Sequence, residues 1–229
     1  DIYLTARQKN NVSRIGLITI DIKNPTKVLN VSKNPVISLG DRGSFDETGT
    51  SYPCIVKKNK QTYLFYTGWL PGKTVPFHNG LGLAKLKNDS FSKVSLSPIL
   101  PLNNEDHLSI GSACILIEKN LWKMWYTSFL SWGDKKYEPK HRYLIKYAYS
   151  YDGIRWERDN TTCISFANRK EYAICRPSVI KINDAYHMWF CHKGSNYEIG
   201  YAFSVDGINW KRSDKNSGIS RSKIGWDSI

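Results

Sequence analysis

The segment Ser150-Tyr151-Asp152-Gly153-Ile154-Arg155-Trp156 returns 54 positions later as Ser204-Val205-Asp206-Gly207-Ile208-Asn209-Trp210. A motif repeated at that distance means one supersecondary unit used more than once, and this excludes most folds at the outset. Each copy follows a short β-like run, Ile145-Lys146-Tyr147-Ala148-Tyr149 and Ile199-Gly200-Tyr201-Ala202-Phe203. Asp-Gly is a hairpin-turn dipeptide, because both residues tolerate positive φ. The Ile-x-Trp that follows reads as a returning strand with Ile and Trp on one face. Leu81-Gly82-Leu83-Ala84-Lys85 before Asn88-Asp89-Ser90-Phe91 is a weaker copy, and Ile15-Gly16-Leu17-Ile18-Thr19-Ile20-Asp21 is a fourth.

Two further elements precede these. The nearer is aromatic: Tyr63-Leu64-Phe65-Tyr66-Thr67-Gly68-Trp69, Trp122-Lys123-Met124-Trp125-Tyr126-Thr127-Ser128 and Tyr186-His187-Met188-Trp189-Phe190, with Ile2-Tyr3-Leu4-Thr5-Ala6-Arg7 as a shorter version. The farther is apolar: Tyr52-Pro53-Cys54-Ile55-Val56, Ala113-Cys114-Ile115-Leu116-Ile117 and Arg176-Pro177-Ser178-Val179-Ile180. These are strand signals, and no stretch has helical periodicity. Each unit therefore reads as inner strand, aromatic strand, Gly-Ala strand, turn and Trp strand, the pattern of a propeller blade. The expectation is an all-β single domain over residues 1–229: a partial blade at 1–38, full blades at 39–100, 101–165 and 166–220, and the start of another at 221–229. The preferred assembly is a five-bladed propeller of four-stranded antiparallel blades, incomplete at both ends of this chain.

Aligning the units on their inner strands pairs Asp46 with Asp106, brings Glu171 opposite Glu47, and likens Phe45-Asp46 to Trp226-Asp227. One acid thus stands just before each inner strand. In a propeller those starts converge on the axial channel, so acids distant in sequence would form a ring. Glycoside cleavage needs one carboxyl to protonate the leaving oxygen and a second as nucleophile or base, and a third can raise the acid's pKa by repulsion. The bland alternatives are a capped turn for Asp46 and a solvated loop for Asp106. Asp152 and Asp206 read as turn formers. Arg176, before a proline on an inner strand, can clamp a carboxylate or sugar hydroxyl, or form a structural ion pair. Trp69, Trp132 and Trp226 near loop ends are candidates for stacking on a sugar ring, whereas the other tryptophans read as core. No Ser/His/Asp arrangement is evident among the dispersed histidines.

The net charge of +13 comes from scattered residues and not from a run, which reads as solvated faces more than as a nucleic-acid footprint. Five cysteines, an odd number without CxxC spacing, point to small buried hydrophobes in a reduced cytoplasmic setting, without a zinc site. No segment has the apolar length of a membrane span, and the N-terminal residues lack the basic and apolar regions of a secretory signal. Neither a cofactor nor a metal is expected.

The run Gly43-Ser44-Phe45-Asp46-Glu47-Thr48-Gly49, the strand Leu64-Phe65-Tyr66-Thr67-Gly68-Trp69, the repeated Ser-x-Asp-Gly-Ile-x-Trp and the closing Gly225-Trp226-Asp227-Ser228 resemble the five-bladed propellers related to glycoside hydrolase family 43, the arabinanases, levansucrases and invertases. The chain is more similar still to bacterial glycosyl hydrolase-like proteins associated with surface-polysaccharide biosynthesis. The resemblance implies a catalytic trio of two Asp and one Glu. Asp46 matches the first acid, Asp106 would be the pKa modulator and Glu171 the general acid, with Glu47, Trp69, Trp132, Arg176, Trp226 and Asp227 around the substrate. The Ser-x-Asp-Gly turn is also similar to the sialidase Asp-box, but lacks its spacer and Thr. The leading expectation is a glycosidase acting on a bacterial polysaccharide or its precursor. The alternative is a non-catalytic sugar-binding or scaffold propeller. The partner in either case is carbohydrate, not nucleic acid.

Overall fold

The structure is a computed structural model that describes residues 1–88, 90–133 and 140–225. It is nearly all β, with a single 3-10 turn, Asp214–Asn216, and no α-helix among the described residues. Among those residues no helix is long and apolar enough to cross a membrane. Tertiary contacts sort the chain into two compact units: Asp1–Pro101 with Gly111–Ala113, and Leu102–Ile110 with Cys114–Ile229.

The first unit contains β1 (Ile2–Arg7), β2 (Ser13–Ile20), β3 (Val28–Val31), β4 (Gly49–Lys58), β5 (Gln61–Pro71), β6 (Phe77–Lys87) and β7 (Ser90–Lys93). The strands lie in the order β1-β2-β4-β5-β6-β7, with β3 on β2. Neighbours are antiparallel except at one parallel pair, Ser13 beside Gly49, where β2 meets β4. That pair is a seam between two blades, β1-β2-β3 and β4-β5-β6-β7. Alternation along β2, β5 and β6 puts Ile15, Leu64, Tyr66 and Ala84 on one side, where they bury with Ile37 and Phe91. Each such large side chain stabilises by about 1.5–3 kcal/mol when fully buried.

The second unit contains β8 (Ile110–Glu118, apart from Gly111–Ala113, which group with the first unit), β9 (Leu121–Ser131), β10 (Arg142–Ser150), β11 (Thr162–Ile164), β12 (Ala173–Ile182), β13 (Ala185–Lys193), β14 (Tyr197–Ser204) and β15 (Lys211–Arg212). Its order is β15-β14-β13-β12-β10-β9-β8 with β11 on β10, and the seam is again one parallel pair, Tyr143 beside Ala173. Trp125, Ile145 and Tyr147 of one blade bury against Ile174, Val179, Tyr186, Met188 and Phe190 of the next. The Trp125 indole N–H donates to the Gly207 carbonyl at 2.7 Å. Gly207 has φ +77°, and a Cβ there would press on the Trp125 ring. The turn glycine is therefore required both by its backbone conformation and by the indole beneath it.

The turns correct one expectation. Ile154-x-Trp156 and Ile208-x-Trp210 are not in strands; pairing resumes at Glu157, opposite Tyr149, and at Lys211, opposite Phe203. The cause lies in the aspartates. Asp152 Oδ1 accepts the N–H groups of Ile154 and Arg155 at 2.8 Å, and Asp206 Oδ1 does the same for Ile208 and Asn209. Ser150 and Ser204 hydroxyls accept the N–H of Gly153 and Gly207. Side-chain acceptors keep the chain turning for three residues beyond Asp, where a two-residue hairpin would already have returned.

Candidate functional site

In the first unit, Asp46 ends the loop before β4 and is 1% exposed. Tyr66 of β5 donates its hydroxyl to Oδ2 at 2.9 Å, and Ser44 donates to Oδ1 at 3.1 Å. Lys93, the last residue of β7, places Nζ 2.6 Å from Oδ2. Gly40 and Gly68 form the cradle, since a Cβ on either would collide with the Asp46 side chain. Burial, followed by the Asp46 charge, pushes the Tyr66 hydroxyl far above its ordinary pKa, so it remains a donor.

In the second unit, Asp106 repeats this arrangement. Tyr126, again twenty residues on, donates to Oδ2 at 2.8 Å, and Ser128 donates to Oδ1 at 2.5 Å. Lys146 lies 2.9 Å from Oδ1 and Arg158 lies 3.0 Å from Oδ2. Asp106 is also 1% exposed. Burial pushes its carboxyl up, but hydrogen bonds from Ser128, Lys146 and Tyr126, with the Lys146 charge, outweigh it and hold the group below its usual value.

Glu171, also buried, is held by a different set. Arg212 of β15 forks onto it, Nη1 to Oε2 and Nη2 to Oε1, both at 2.7 Å. His192 Nδ1 is 2.7 Å from Oε1, and the Ala167 N–H donates to Oε2 at 2.6 Å. Burial raises this carboxyl, while Arg212, Ala167 and His192 together hold it below its ordinary value. With Nδ1 engaged, His192 turns Nε2 toward Asp214, 4.0 Å away.

All three acids are thus closed by side chains of their own blades, and the closing cation comes from the fourth strand or its approach. The sequence carries this signal as an aromatic-x-basic triplet, which sequence reasoning missed: Phe91-Ser92-Lys93, Trp156-Glu157-Arg158 and Trp210-Lys211-Arg212.

The other candidates are placed as follows. Glu47 accepts the Gly43 N–H, the same turn contact that Glu171 makes with Ala167. Trp69 is half-buried; its indole N–H donates to Ser13 at 2.7 Å, and the Arg7 guanidinium lies 5.6 Å from its ring. Trp132 is half-buried between Phe129, 4.8 Å away, and His141, 5.2 Å away. Arg176 is exposed on β12. Trp226 and Asp227 lie outside the described residues.

Sequence reasoning also missed a strained position on every inner strand. Tyr52, Ser112 and Arg176 stand at equivalent places in β4, β8 and β12 and have φ of +49°, +34° and +53°. Ladder pairing skips at Ser51/Cys54 and at Cys175/Ser178 around two of them. Bulges with non-glycine residues in the left-handed region re-aim side chains and concentrate at functional sites. The second unit also has an open groove of about 980 Å³, lined by His192, Tyr197, Glu198, Asp214, Lys215 and Ser217 among others.

No family model matches the chain. It is 35% identical over 228 residues, 99% of this chain and 76% of the relative, to "Uncharacterized protein Rv1502" of Mycobacterium tuberculosis, and equally to "Uncharacterized protein MT1551" of another strain. Among solved structures it is similar to a "Glycoside hydrolase" at TM-score 0.72 and 16% identity, covering 97% of this chain and 75% of that one. A thermostable family-43 glycoside hydrolase gives 0.60 and 19%, covering 79% and 58%. A family 117 glycoside hydrolase from the marine bacterium Zobellia galactanivorans gives 0.68 and 11%, covering 92% and 57%. Blade pattern and likeness agree on the β-propeller fold of glycoside hydrolases, and by sequence the chain belongs to the family of the Mycobacterium tuberculosis proteins Rv1502 and MT1551.

Proposed function

We propose that the chain is a carbohydrate-recognising propeller of the glycoside hydrolase type, working on a bacterial polysaccharide or its precursor, in which Asp46, Asp106 and Glu171 hold the blades closed and do not react with the sugar. The observation that carries this is the sealing of all three acids, each nearly fully buried and ion-paired within its blade. A catalytic carboxyl must reach the glycosidic oxygen or a water beside it, and a general acid works with its pKa raised. Asp106 and Glu171 are held in the opposite direction. The groove beside His192 supports sugar binding: the Tyr197 ring offers a stacking face, while Glu198, Asp214, Lys215 and Ser217 offer donors and acceptors suited to hydroxyls.

The five-blade count belongs to the same proposal. Trp189 occupies in the fourth blade the place Trp125 has in the third. Trp125 is fully buried against the following blade, whereas the face carrying Trp189 leaves Ile180 43% and Ile182 48% exposed. An apolar face of this kind suits a further blade.

The second reading is hydrolysis, favoured by the fold shared with solved glycoside hydrolases. A panel of bacterial glycans, assayed for binding and for cleavage products with the full-length protein and Asp46→Asn, separates the two. Recognition without reaction predicts binding that survives Asp46→Asn and no released reducing ends. Cleavage by the wild type that Asp46→Asn abolishes, with the circular dichroism spectrum unchanged, would overturn the proposal.

A further inference from the structure

Cys175 and Cys191 stand directly opposite each other on the antiparallel strands β12 and β13. Directly opposed residues present their side chains on the same face, with Cα atoms about 4.5–5.5 Å apart. That lies within the Cα separation of about 4.4–6.8 Å that a disulfide spans. The two differ in access: Cys175 is buried, whereas Cys191 is half-buried and lines the open groove. The pair also adjoins the bulge. The next register pair is Ser178 with Trp189, and between the two pairs lie Pro177 and Arg176, the latter at φ +53°.

We propose that these residues form a thiol-exchange site, in which Cys191 attacks a low-molecular-weight disulfide and Cys175 resolves the adduct to a cross-strand Cys175–Cys191 bridge. In the first step the Cys191 thiol gives its proton to solvent, its sulfur bonds to one sulfur of the reagent, and the other sulfur leaves and takes up a proton as a free thiol. In the second step Cys175 loses its proton and attacks the Cys191 sulfur, expelling the second half of the reagent. Two cysteine thiols are oxidised by two electrons and one disulfide is reduced to two thiols. A dithiol reductant reverses the sequence.

Cys163 and Cys114 are differently placed. Cys163 is buried, and burial drives its thiol up, away from the reactive form. Cys114 Sγ accepts the Val179 N–H at 3.3 Å. For Cys191, a hydrogen bond from Cys175 and the nearby Arg176 charge outweigh burial and hold the thiol below its ordinary value, the direction that favours the attacking thiolate.

The test treats the full chain, reduced and native, with oxidised glutathione, alkylates the remaining thiols and maps the peptides. The expected result is a Cys175–Cys191 linked peptide in the wild type, a stable glutathione adduct on Cys191 in Cys175→Ser, and neither in Cys191→Ser. Timed alkylation of the wild type, which needs no variant to fold, should label Cys191 at least about tenfold faster than Cys163. A wild type with Cys191 unmodified, a Cys175→Ser adduct carried by a different cysteine, or equal alkylation rates for Cys191 and Cys163 overturns the site. Sugar binding enters none of these readouts.

Discussion

Asp46 in the second blade takes two hydroxyls and one ammonium, whereas Glu171 in the fourth takes a guanidinium fork, an imidazole and a backbone N–H. The difference begins with one methylene and one position. Glu171 matches Glu47, one residue beyond Asp46, and its longer side chain reaches other partners. On the aromatic strand the place of Tyr66 is taken by Phe190, which has no hydroxyl to give. His192, at the place of Gly68, supplies the missing donor. A glycine at that place in the fourth blade would leave the carboxylate short of a partner, and a histidine at Gly68 would strike Asp46. Each blade is therefore internally consistent, and a part moved from one to the other should fail.

The largest expected effect comes from removing the cation. Arg212→Ala strands a buried carboxylate whose remaining partners are an imidazole and one backbone N–H. Breaking a buried pair in this way costs about 3–5 kcal/mol. Lys93→Ala leaves Asp46 with two hydroxyl donors, and its loss resembles that of one charge-assisted hydrogen bond, about 1.5–3 kcal/mol. Urea unfolding followed by tryptophan fluorescence measures both. Equal losses, or a larger loss for Lys93, would break the comparison, because the fork would then confer nothing beyond a point charge.

A smaller effect sharpens it. Tyr66→Phe gives the second blade the aromatic residue the fourth already has, without the compensating histidine. Asp46 keeps Lys93 and Ser44, so the expected cost is about 1–1.5 kcal/mol. The converse, Phe190→Tyr, should gain nothing, since Glu171 already has Arg212, His192 and Ala167. A stabilised Phe190→Tyr protein would mean that the fourth blade retains an unmet need for the hydroxyl.

The acids were legible in the sequence and their partners were not, for a physical reason. Alignment on inner strands found Asp46, Asp106 and Glu171 because strand order repeats and each acid stands at nearly the same distance before the equivalent residues Tyr52, Ser112 and Arg176, although the loops themselves differ in length. The twenty-residue step to Tyr66 and Tyr126 was there to be read as well. The cations were obscured by composition: among 33 Lys and Arg residues, Lys93, Arg158 and Arg212 look like any solvated charge. Only pairing geometry shows that a basic residue two positions past an aromatic one turns back into its own blade. The strained Tyr52, Ser112 and Arg176 were likewise unreadable, since no glycine marks them, and the bulges beside Tyr52 and Arg176 show only in the strand pairing. Asp152 and Asp206 were read correctly as turn formers, but the reach of their side chains, which delays the returning strand, follows from hydrogen bonds that residue type alone does not specify.

Acid sensitivity is the smallest of the expected effects and the one that tests the electrostatic account most directly. Asp106 and Glu171 are held below their ordinary values in the folded protein. The stability they contribute is complete above the unfolded values, near about 4, and is lost as pH falls through the lower folded ones, because the unfolded chain binds protons first. Glu171→Gln should therefore flatten the decline in unfolding free energy below about pH 4, whatever it does to stability at neutral pH. Asp106→Asn should do the same for the third blade. Glu118, opposed by burial but held at about 2 by Lys123, Lys181 and Tyr186, supplies a background common to every variant. In Arg212→Ala the Glu171 share should also shrink, since the guanidinium is what depresses that carboxyl most. If Glu171→Gln and the wild type lose stability in parallel between about pH 5 and about pH 3, on either side of the unfolded carboxylate value, the fork does not act on the charged form of Glu171, and the contrast between the two blades reduces to packing.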